Sequence, residues 1–122
     1  MPNIKSSKAK GRRLQNYVRD RLRQVFVKEW TKFPKLEDDD IKSQTMGMTG
    51  EDIILSPAAK KIIPYSFEFK NQERISIWKA LQQAEDNAGL REPIVVIKRN
   101  GSNIYASIRF VELLRLIRRI HD

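Results

Sequence analysis

The stretch Ser66-Phe67-Glu68-Phe69-Lys70 alternates polar and aromatic residues without interruption. Side chains two positions apart share one face of a β-strand, so the pattern predicts a strand with its aromatic rings in a core. Ser66, Glu68 and Lys70 then point to the opposite face. An exposed ion pair would also explain Glu68 and Lys70, so a chemical role for them requires further residues.

A second acid precedes this strand. Asp52 opens the short apolar run 53–55 and follows a glycine-containing loop at 46–50. Two neighbouring strands can bring Asp52 and Glu68 together, and carboxylate oxygens are the ligands that Mg²⁺ prefers. Phosphodiester hydrolysis needs such oxygens to hold a divalent cation that screens phosphate charge. Lys70 would orient or deprotonate the attacking water, or neutralise the growing negative charge.

The remaining sequence predicts helices and strands that surround this pair of strands. In chain order we expect a helix that starts after Gly11 and ends before Pro34, strands at 41–45, 52–55 and 65–70, a helix at 75–88, strands at 94–98 and 104–108, and a helix at 110–120. This order predicts an α/β fold, with a mixed β-sheet and helices packed on it.

Two of the predicted helices have an apolar face that could pack against other parts of the protein. The face predicted for the helix at 75–88 consists of Ile77, Trp78, Leu81, Ala84 and Ala88. Both tryptophans, Trp30 and Trp78, are therefore expected in a core or an interface. The apolar helix at 110–120 either forms part of a dimer interface or packs on its own sheet.

Composition restricts the classes of function. The chain has 122 residues, which suits one domain, and contains no cysteine for disulfides, thiolate catalysis or thiolate zinc sites. It lacks both an apolar run of about 18 residues and the apolar block of a signal peptide, so we expect a cytoplasmic protein without a membrane span. The net charge of +9 indicates a polyanionic partner, most often nucleic acid.

Basic residues are concentrated near the N-terminus. Residues 1–10 are predicted to be a flexible basic arm, and residues 11–122 a single domain. The residues expected to contact a phosphate backbone are Lys8, Lys10, Arg12, Arg13 and Arg19. Contacts of this kind hold a nucleic acid without reading its sequence.

The segment Gly50-Glu51-Asp52 followed by Glu68-Phe69-Lys70 resembles the two-part signature of the PD-(D/E)xK nuclease superfamily. Lys10-Gly11 opening a basic helix, together with the glycine-containing loop, is similar to the archaeal-type Holliday junction resolvases and their phage-encoded relatives. The resemblance covers roughly residues 8 to 98.

This resemblance implies a restriction-endonuclease-like fold with an α-β-β-β-α-β core. It implies that Asp52 and Glu68 ligate Mg²⁺, for which Mn²⁺ can substitute, that Lys70 is the catalytic lysine, and that Ser43 approaches the scissile phosphate. Such enzymes act as homodimers on four-way DNA junctions in recombination and repair. The resemblance thus implies DNA and a second subunit as partners.

The chain departs from the family pattern at two positions. Gln15 stands where the resolvases usually have a glutamate, and Glu51 replaces the proline of the signature. Glu51 alternates away from Asp52 and is expected to be a solvated neighbour, not a ligand. The amide of Gln15 can still ligate a cation or hold a water, but it lowers the charge of the site. Two alternatives therefore stay open: a nicking or restriction-like endonuclease of the same fold, and a DNA-binding module without catalysis.

Overall fold

A computed structural model describes the backbone of residues 4–45 and 50–121 and the side chains of residues 8–45 and 50–121. The regular elements are α1 (Ile4–Arg23), which continues as a π-helical segment (Gln24–Glu29), a 3₁₀ turn (Asp38–Asp40), β1 (Ile41–Ser43), β2 (Ile53–Leu55), α2 (Pro57–Lys60), β3 (Tyr65–Asn71), α3 (Ile77–Ala88), β4 (Glu92–Lys98), β5 (Tyr105–Ser107) and α4 (Phe110–Ile120). The predicted α/β class and the order of the main elements are confirmed. The short α2, capped by the Ser56 side chain, lies in a segment predicted only as a connection.

The strands form two sheets instead of the expected single mixed sheet. β1 pairs antiparallel with β2, while β3 pairs parallel with β4 and β4 pairs antiparallel with β5. The two sheets meet where the Asp52 amide donates to the Phe67 carbonyl oxygen at 2.9 Å. Because β2 has only three residues, this contact does not extend into a longer ladder.

β3 is covered on both faces, as is usual for a strand in a parallel pair. Phe67 and Val96 belong to the larger core, which α1 closes with Leu14 and which β1, β2 and α2 complete. On the opposite face, Val95 packs under Ala80 and Ala84 of α3. Glu68 is therefore buried and retains only 2% of its accessible surface, so the alternative of an exposed ion pair does not explain it.

The first helix begins earlier than predicted. Residues 4–10, expected in a flexible arm, form the first turns of α1, and the helix runs through Gly11 without a break. No proline interrupts residues 4–10, and an interior glycine costs only about 1 kcal/mol relative to alanine. Residues 1–3 of the predicted arm, and residues 46–49 of the predicted glycine-containing loop, lie outside the described residues.

The orientation of α3 differs from the prediction in one respect. Its buried residues are Ala80, Ala84 and Ala88, whereas Trp78 is exposed at the surface. Alanines at four-residue intervals let the helix lie close to the sheet above Glu68, and a tryptophan ring would not fit in that space. Trp78 is thus not a core residue.

No helix within residues 4–45 and 50–121 is both long and apolar enough to cross a membrane.

A carboxylate pair between two sheets

Asp52 lies at the junction of the two sheets, and its backbone is fixed on three sides. Gly50, at φ +97°, turns the chain toward β2, a conformation that other residues rarely adopt. The Asp52 amide donates to Phe67, and the Asp52 carbonyl oxygen accepts from the amide of Gln44 at 2.8 Å. The same carbonyl accepts from Gln15 Nε2 at 2.6 Å. Asp52 is thereby held before any ligand binds.

The side chain of Asp52 turns toward β3. Its Oδ2 accepts a hydrogen bond from the backbone amide of Phe69 at 2.7 Å. Glu68 precedes Phe69, and the carboxyl groups of Asp52 and Glu68 lie close enough for each to alter the pKa of the other. Lys70 lies close enough that its charge lowers the pKa of both. The structure therefore brings Asp52, Glu68 and Lys70 together.

Glu68 is held by a residue that the sequence did not single out. Asn87, near the end of α3, donates through Nδ2 to Glu68 Oε1 at 2.6 Å and approaches the Gly50 carbonyl oxygen at 3.3 Å. One amide thus joins α3, β3 and the loop before Asp52. The only sequence signal for this role was a polar residue beside the alanines that α3 buries.

Burial and crowding disturb the titration of both acids. Burial raises the pKa of Glu68 to about 7, with a further contribution from the neighbouring Asp52 carboxylate, although Asn87 and Lys70 oppose the change. Burial also raises the pKa of Asp52, against the lowering effect of the Phe69 amide. Two acids held this close bind a proton, or a cation in its place, more readily than isolated carboxylates do.

The donor set fits a hard divalent cation. Mg²⁺ is commonly held by one or two carboxylates, with water and phosphate oxygens completing its coordination. Within residues 4–45 and 50–121, no group of three or more His, Cys, Asp or Glu side chains is placed to hold an ion. Asp52 and Glu68 would therefore leave most of the coordination to small ligands and substrate.

A cleft of about 440 Å³ opens over Asp52 and separates the Gly50 loop from α3. Its α3 side carries Lys79, Gln82, Gln83, Asp86 and Asn87. Lys79 and Asp86 add a cation and an acid to this cleft that the sequence did not indicate. Gln82 and Gln83 also line the cleft, and both are exposed.

Gln15 and Ser43 lie at the edge of this site. Gln15 is buried, and its Nε2 donates to the carbonyl oxygens of Asp52 and of Gln44, the latter at 3.0 Å. Its amide hydrogens thus fix the ends of β1 and β2, and a ligand role for its oxygen stays a prediction. Ser43 Oγ donates to Asn16 Oδ1 at 2.8 Å.

The predicted phosphate-binding residues lie along α1. Lys8, Arg12 and Arg13 are exposed, whereas Arg19 is partly buried and pairs with Asp20 at 2.9 Å. Lys10 is 3.8 Å from Glu73, and its carbonyl oxygen accepts from Asn71 Nδ2 at 3.1 Å. Lys8, Arg12 and Arg13, three of these five residues, thus have no close acidic partner among the described side chains.

A second groove, of about 310 Å³, lies between α1 and the end of β4. Lys10, Arg13, Tyr17, Asn71 and Lys98 line it. Asn71 directly follows Lys70 in β3, and its side chain contacts α1 through the Lys10 carbonyl oxygen. Three cations and an exposed tyrosine suit a phosphate backbone with an accompanying base.

An ion pair fixes the residue before Asp52. Glu51, expected to be a solvated neighbour, pairs with Arg91, and both side chains are largely buried. Arg91 also donates through Nη1 to the Tyr65 carbonyl oxygen at 3.1 Å. Glu51 thus joins the segment that carries Asp52 to the start of β3. The sequence did not indicate that Glu51 is buried, because its partner Arg91 is 40 positions away along the chain.

Replacing Arg91 by glutamine should destabilise the protein by about 2 kcal/mol, because a carboxylate would lose its partner in a partly buried position. Chemical denaturation measures this loss. Arg19→Gln is the matched control, because its partner Asp20 is 59% exposed and the loss of that pair should leave the midpoint nearly unchanged. Equal losses in the two variants would contradict this account of Glu51.

Comparison with protein-family models, curated proteins and solved structures gave no match.

Proposed function

We propose that this protein is a metal-dependent endonuclease that hydrolyses DNA phosphodiesters, with four-way junctions as its substrate. The observation that carries the proposal is that the carboxyl groups of Asp52 and Glu68 lie close enough for each to alter the pKa of the other, with the Lys70 charge acting on both. The proposal includes a restriction-endonuclease-like arrangement of the mixed sheet. The preference for junctions rests on the sequence resemblance alone.

The chemistry follows from the groups around the cleft. Asp52 and Glu68 would hold Mg²⁺, which when bound supplies Lewis-acid stabilisation of phosphate charge. Lys70 would orient or deprotonate the water that attacks phosphorus, or neutralise charge on the departing oxygen. Asp52 and Glu68 belong to different segments of the chain. Their relative orientation is therefore set by the hydrogen bonds that fix the Asp52 backbone and by the hydrogen bond from Asn87 to Glu68.

The net charge supports a nucleic acid as the substrate. The chain carries 24 Lys and Arg residues against 15 acids. The groove lined by Lys10, Arg13 and Lys98 would guide a backbone toward the cleft without reading bases. Binding should therefore weaken steeply as salt rises.

The proposal is tested by incubating the protein with a four-way junction, a flap and a duplex of equal length, with Mg²⁺ or with EDTA. A resolvase prefers the junction and makes paired, symmetric nicks, and EDTA abolishes them. Asp52→Asn is the control for contaminating nucleases, because asparagine can still accept the hydrogen bond from Phe69. Equal cutting of all three substrates would instead indicate a nicking or restriction-like endonuclease.

A DNA-binding module without catalysis is the second candidate. It is favoured by one observation: Gln15, which stands in place of a family glutamate, uses its amide to hold backbone carbonyls. Junction binding without Mg²⁺- or Mn²⁺-dependent cleavage would support it. If the protein neither binds nor cuts DNA, both candidates fail.

Removing the Asn87 amide should weaken the cation site. In Asn87→Ala, the pKa of Glu68 should rise further, because the Asn87 hydrogen bond favours its charged form. We expect affinity for Mg²⁺ or Mn²⁺ to fall by about 10–100-fold. Titration calorimetry at pH 7.5 measures the change, and Asn103→Ala, at an exposed asparagine, should bind as the wild type does. Unchanged affinity in Asn87→Ala would place the cation elsewhere.

A further inference from the structure

A groove of about 550 Å³, here called the Trp78 groove, lies between α3 and the start of α4. Trp78 of α3 and Phe110 of α4 line it and are 79% and 71% exposed. Leu81 and Pro93 add further apolar surface. The volume is within the range of about 300–1,000 Å³ that is typical of ligand pockets. Two exposed aromatic side chains in one groove suit a flat aromatic ligand, because ring faces stack on one another.

Contacts in the first turn of α4 fix Phe110 at the edge of this groove. Glu112 is the buried residue of α4, and its Oε1 accepts a hydrogen bond from the Tyr65 hydroxyl at 2.8 Å. Arg109, directly before α4, donates through Nη2 to Glu92 Oε2 of β4 at 2.6 Å. Phe110 lies between these two contacts along the chain. The protein itself therefore holds the groove in shape.

The polar groups of the groove favour a neutral ligand over a phosphate. Among the residues that the structure describes, Arg109 is the one cation that lines it. Glu92 binds its guanidinium through both carboxylate oxygens and raises the pKa of Arg109, with a smaller contribution from the charge of Glu85. Two acids thus act on one cation, so a phosphate would meet net negative charge. Glu85 and Gln82 can instead form hydrogen bonds with the edge of a neutral ring.

The Trp78 groove adjoins the cleft over Asp52. Gln82 lines both, because it lies on the outward side of α3 between them. Trp78 is one turn before Gln82 on the groove side, whereas Lys79 and Gln83 line the cleft. The cleft contains the groups proposed to act on a phosphate, and the groove contains aromatic side chains. A nucleotide has the same two parts, a charged phosphate and a neutral aromatic base.

We propose that the Trp78 groove binds one unpaired nucleobase of a DNA strand that passes through the cleft over Asp52. The base stacks on Trp78 and Phe110, and Glu85 accepts a hydrogen bond from an amino group at its edge. A base within a duplex is paired and stacked on its neighbours, so only an unpaired or extruded base can enter. The groove would thus favour strands with an unpaired base near the cut. This inference rests on the proposed function for its choice of DNA, but not on cleavage.

The test compares three labelled duplexes of equal length, with one unpaired cytosine, with an abasic residue at that position, or fully paired. Binding is measured by fluorescence anisotropy in EDTA, which prevents metal-dependent cleavage. We expect the wild type to bind the cytosine duplex roughly 5–150-fold more tightly than the abasic duplex, the range for one base stacked on an aromatic side chain. The fully paired duplex should bind no more tightly than the abasic one.

Trp78→Ala should lose this preference and bind the abasic duplex as the wild type does, because its phosphate contacts remain. Phe33→Ala is the matched control, because Phe33 is 91% exposed and lies outside the groove. It should keep the full preference for the unpaired base. A Trp78→Ala protein that retains the preference would overturn the proposal.

The role of Glu85 is tested with a second base. Cytosine has an amino group where thymine has a carbonyl oxygen. The wild type should therefore bind the unpaired cytosine about 3-fold or more tightly than an unpaired thymine. Glu85→Ala should bind the two equally while still preferring either to the abasic residue. An undiminished preference for cytosine in Glu85→Ala would show that Glu85 is not the acceptor.

Tryptophan emission gives a second measurement. In Trp30→Phe, Trp78 is the only tryptophan, and the cytosine duplex should quench its emission more than the abasic duplex does. A shift of this emission to shorter wavelength with protein concentration, in the absence of DNA, would overturn the proposal, because the groove would then be a protein contact.

The outcomes separate this proposal from the nuclease proposal. Equal binding of the cytosine and abasic duplexes by the wild type would overturn the base site, and cleavage in Mg²⁺ could still be observed. A preference for the unpaired base that depends on Trp78, without cleavage of any DNA in Mg²⁺ or Mn²⁺, would support the base site and contradict the nuclease. Absence of binding to every duplex would contradict both.

Discussion

Replacing Glu68 by glutamine is expected to stabilise the cation-free protein and at the same time abolish cleavage. The stabilising effect follows from the pKa of Glu68, which burial raises to about 7 in the folded protein from its ordinary value of 4.5. An acid with a raised folded pKa binds protons more tightly when folded. Its ionisation therefore lowers the free energy of unfolding progressively as pH rises from about 4.5 to about 7.

Glutamine has no charge to lose and can still accept the Asn87 hydrogen bond. Above pH 7, Glu68→Gln should therefore exceed the wild type in unfolding free energy by on the order of 2 kcal/mol. Below pH 4.5, the two proteins should be equally stable. Urea denaturation in EDTA at pH 4.5, 6 and 8 measures the difference. Glu29→Gln, at an exposed glutamate far along the chain, should show no such gain.

The catalytic effect of Glu68→Gln has the opposite sign. Losing one of two carboxylates should reduce cleavage by at least about 10³-fold, which corresponds to several kcal/mol of transition-state stabilisation. Mg²⁺ should stabilise the wild type at pH 8 but have little effect on the variant, because binding to the folded state alone raises stability. A variant that is less stable than the wild type at pH 8 would contradict the account of crowded carboxylates.

Replacing Lys70 by methionine should reduce cleavage by about 10²–10⁴-fold, the range that positioned proton-transfer groups supply. Cation binding should persist, because Asp52 and Glu68 remain. The pKa of both acids should rise, since the Lys70 charge lowers them. Single-turnover cleavage and Mn²⁺ titration separate the two effects. Lys60→Met, at an exposed lysine of α2, is the matched control and should cleave normally.

Lys70→Arg distinguishes the roles open to this lysine. Arginine keeps the positive charge but does not release its proton near neutral pH. Cleavage close to the wild-type rate would indicate charge neutralisation or orientation of the water. A loss as large as in Lys70→Met would indicate proton transfer. If neither variant loses activity, Lys70 has no part in the reaction.

The sequence predicted the elements well because their signals are local. The alternation of polar and aromatic residues predicted β3, and Gly89 predicted the end of α3. The helix α4 was predicted with its observed bounds. The pairing of Asp52 with Glu68 was also predictable, since it needed only two adjacent strands. These inferences use spacing along the chain, which the sequence states directly.

The errors concern contacts between distant parts of the chain. The burial of Glu68 depends on alanines of α3 that lie close to the sheet, and the Glu51–Arg91 pair joins residues 40 positions apart. Periodicity identified α4 as amphipathic but could not show which side faces the protein. That orientation is set by Tyr65 and Glu112, 47 positions apart. A pattern within one element does not contain such information.

The hydrogen bond from the Phe69 amide to Asp52 Oδ2 makes a backbone proton part of the carboxylate pair. The nuclear resonance of that proton depends on the charge of its acceptor, so one peak in an amide correlation spectrum reports whether the pair holds a proton, a cation or neither. Neighbouring amides of β3 that donate to backbone carbonyls provide an internal reference. The occupancy of this site can thus be followed in solution without altering any side chain.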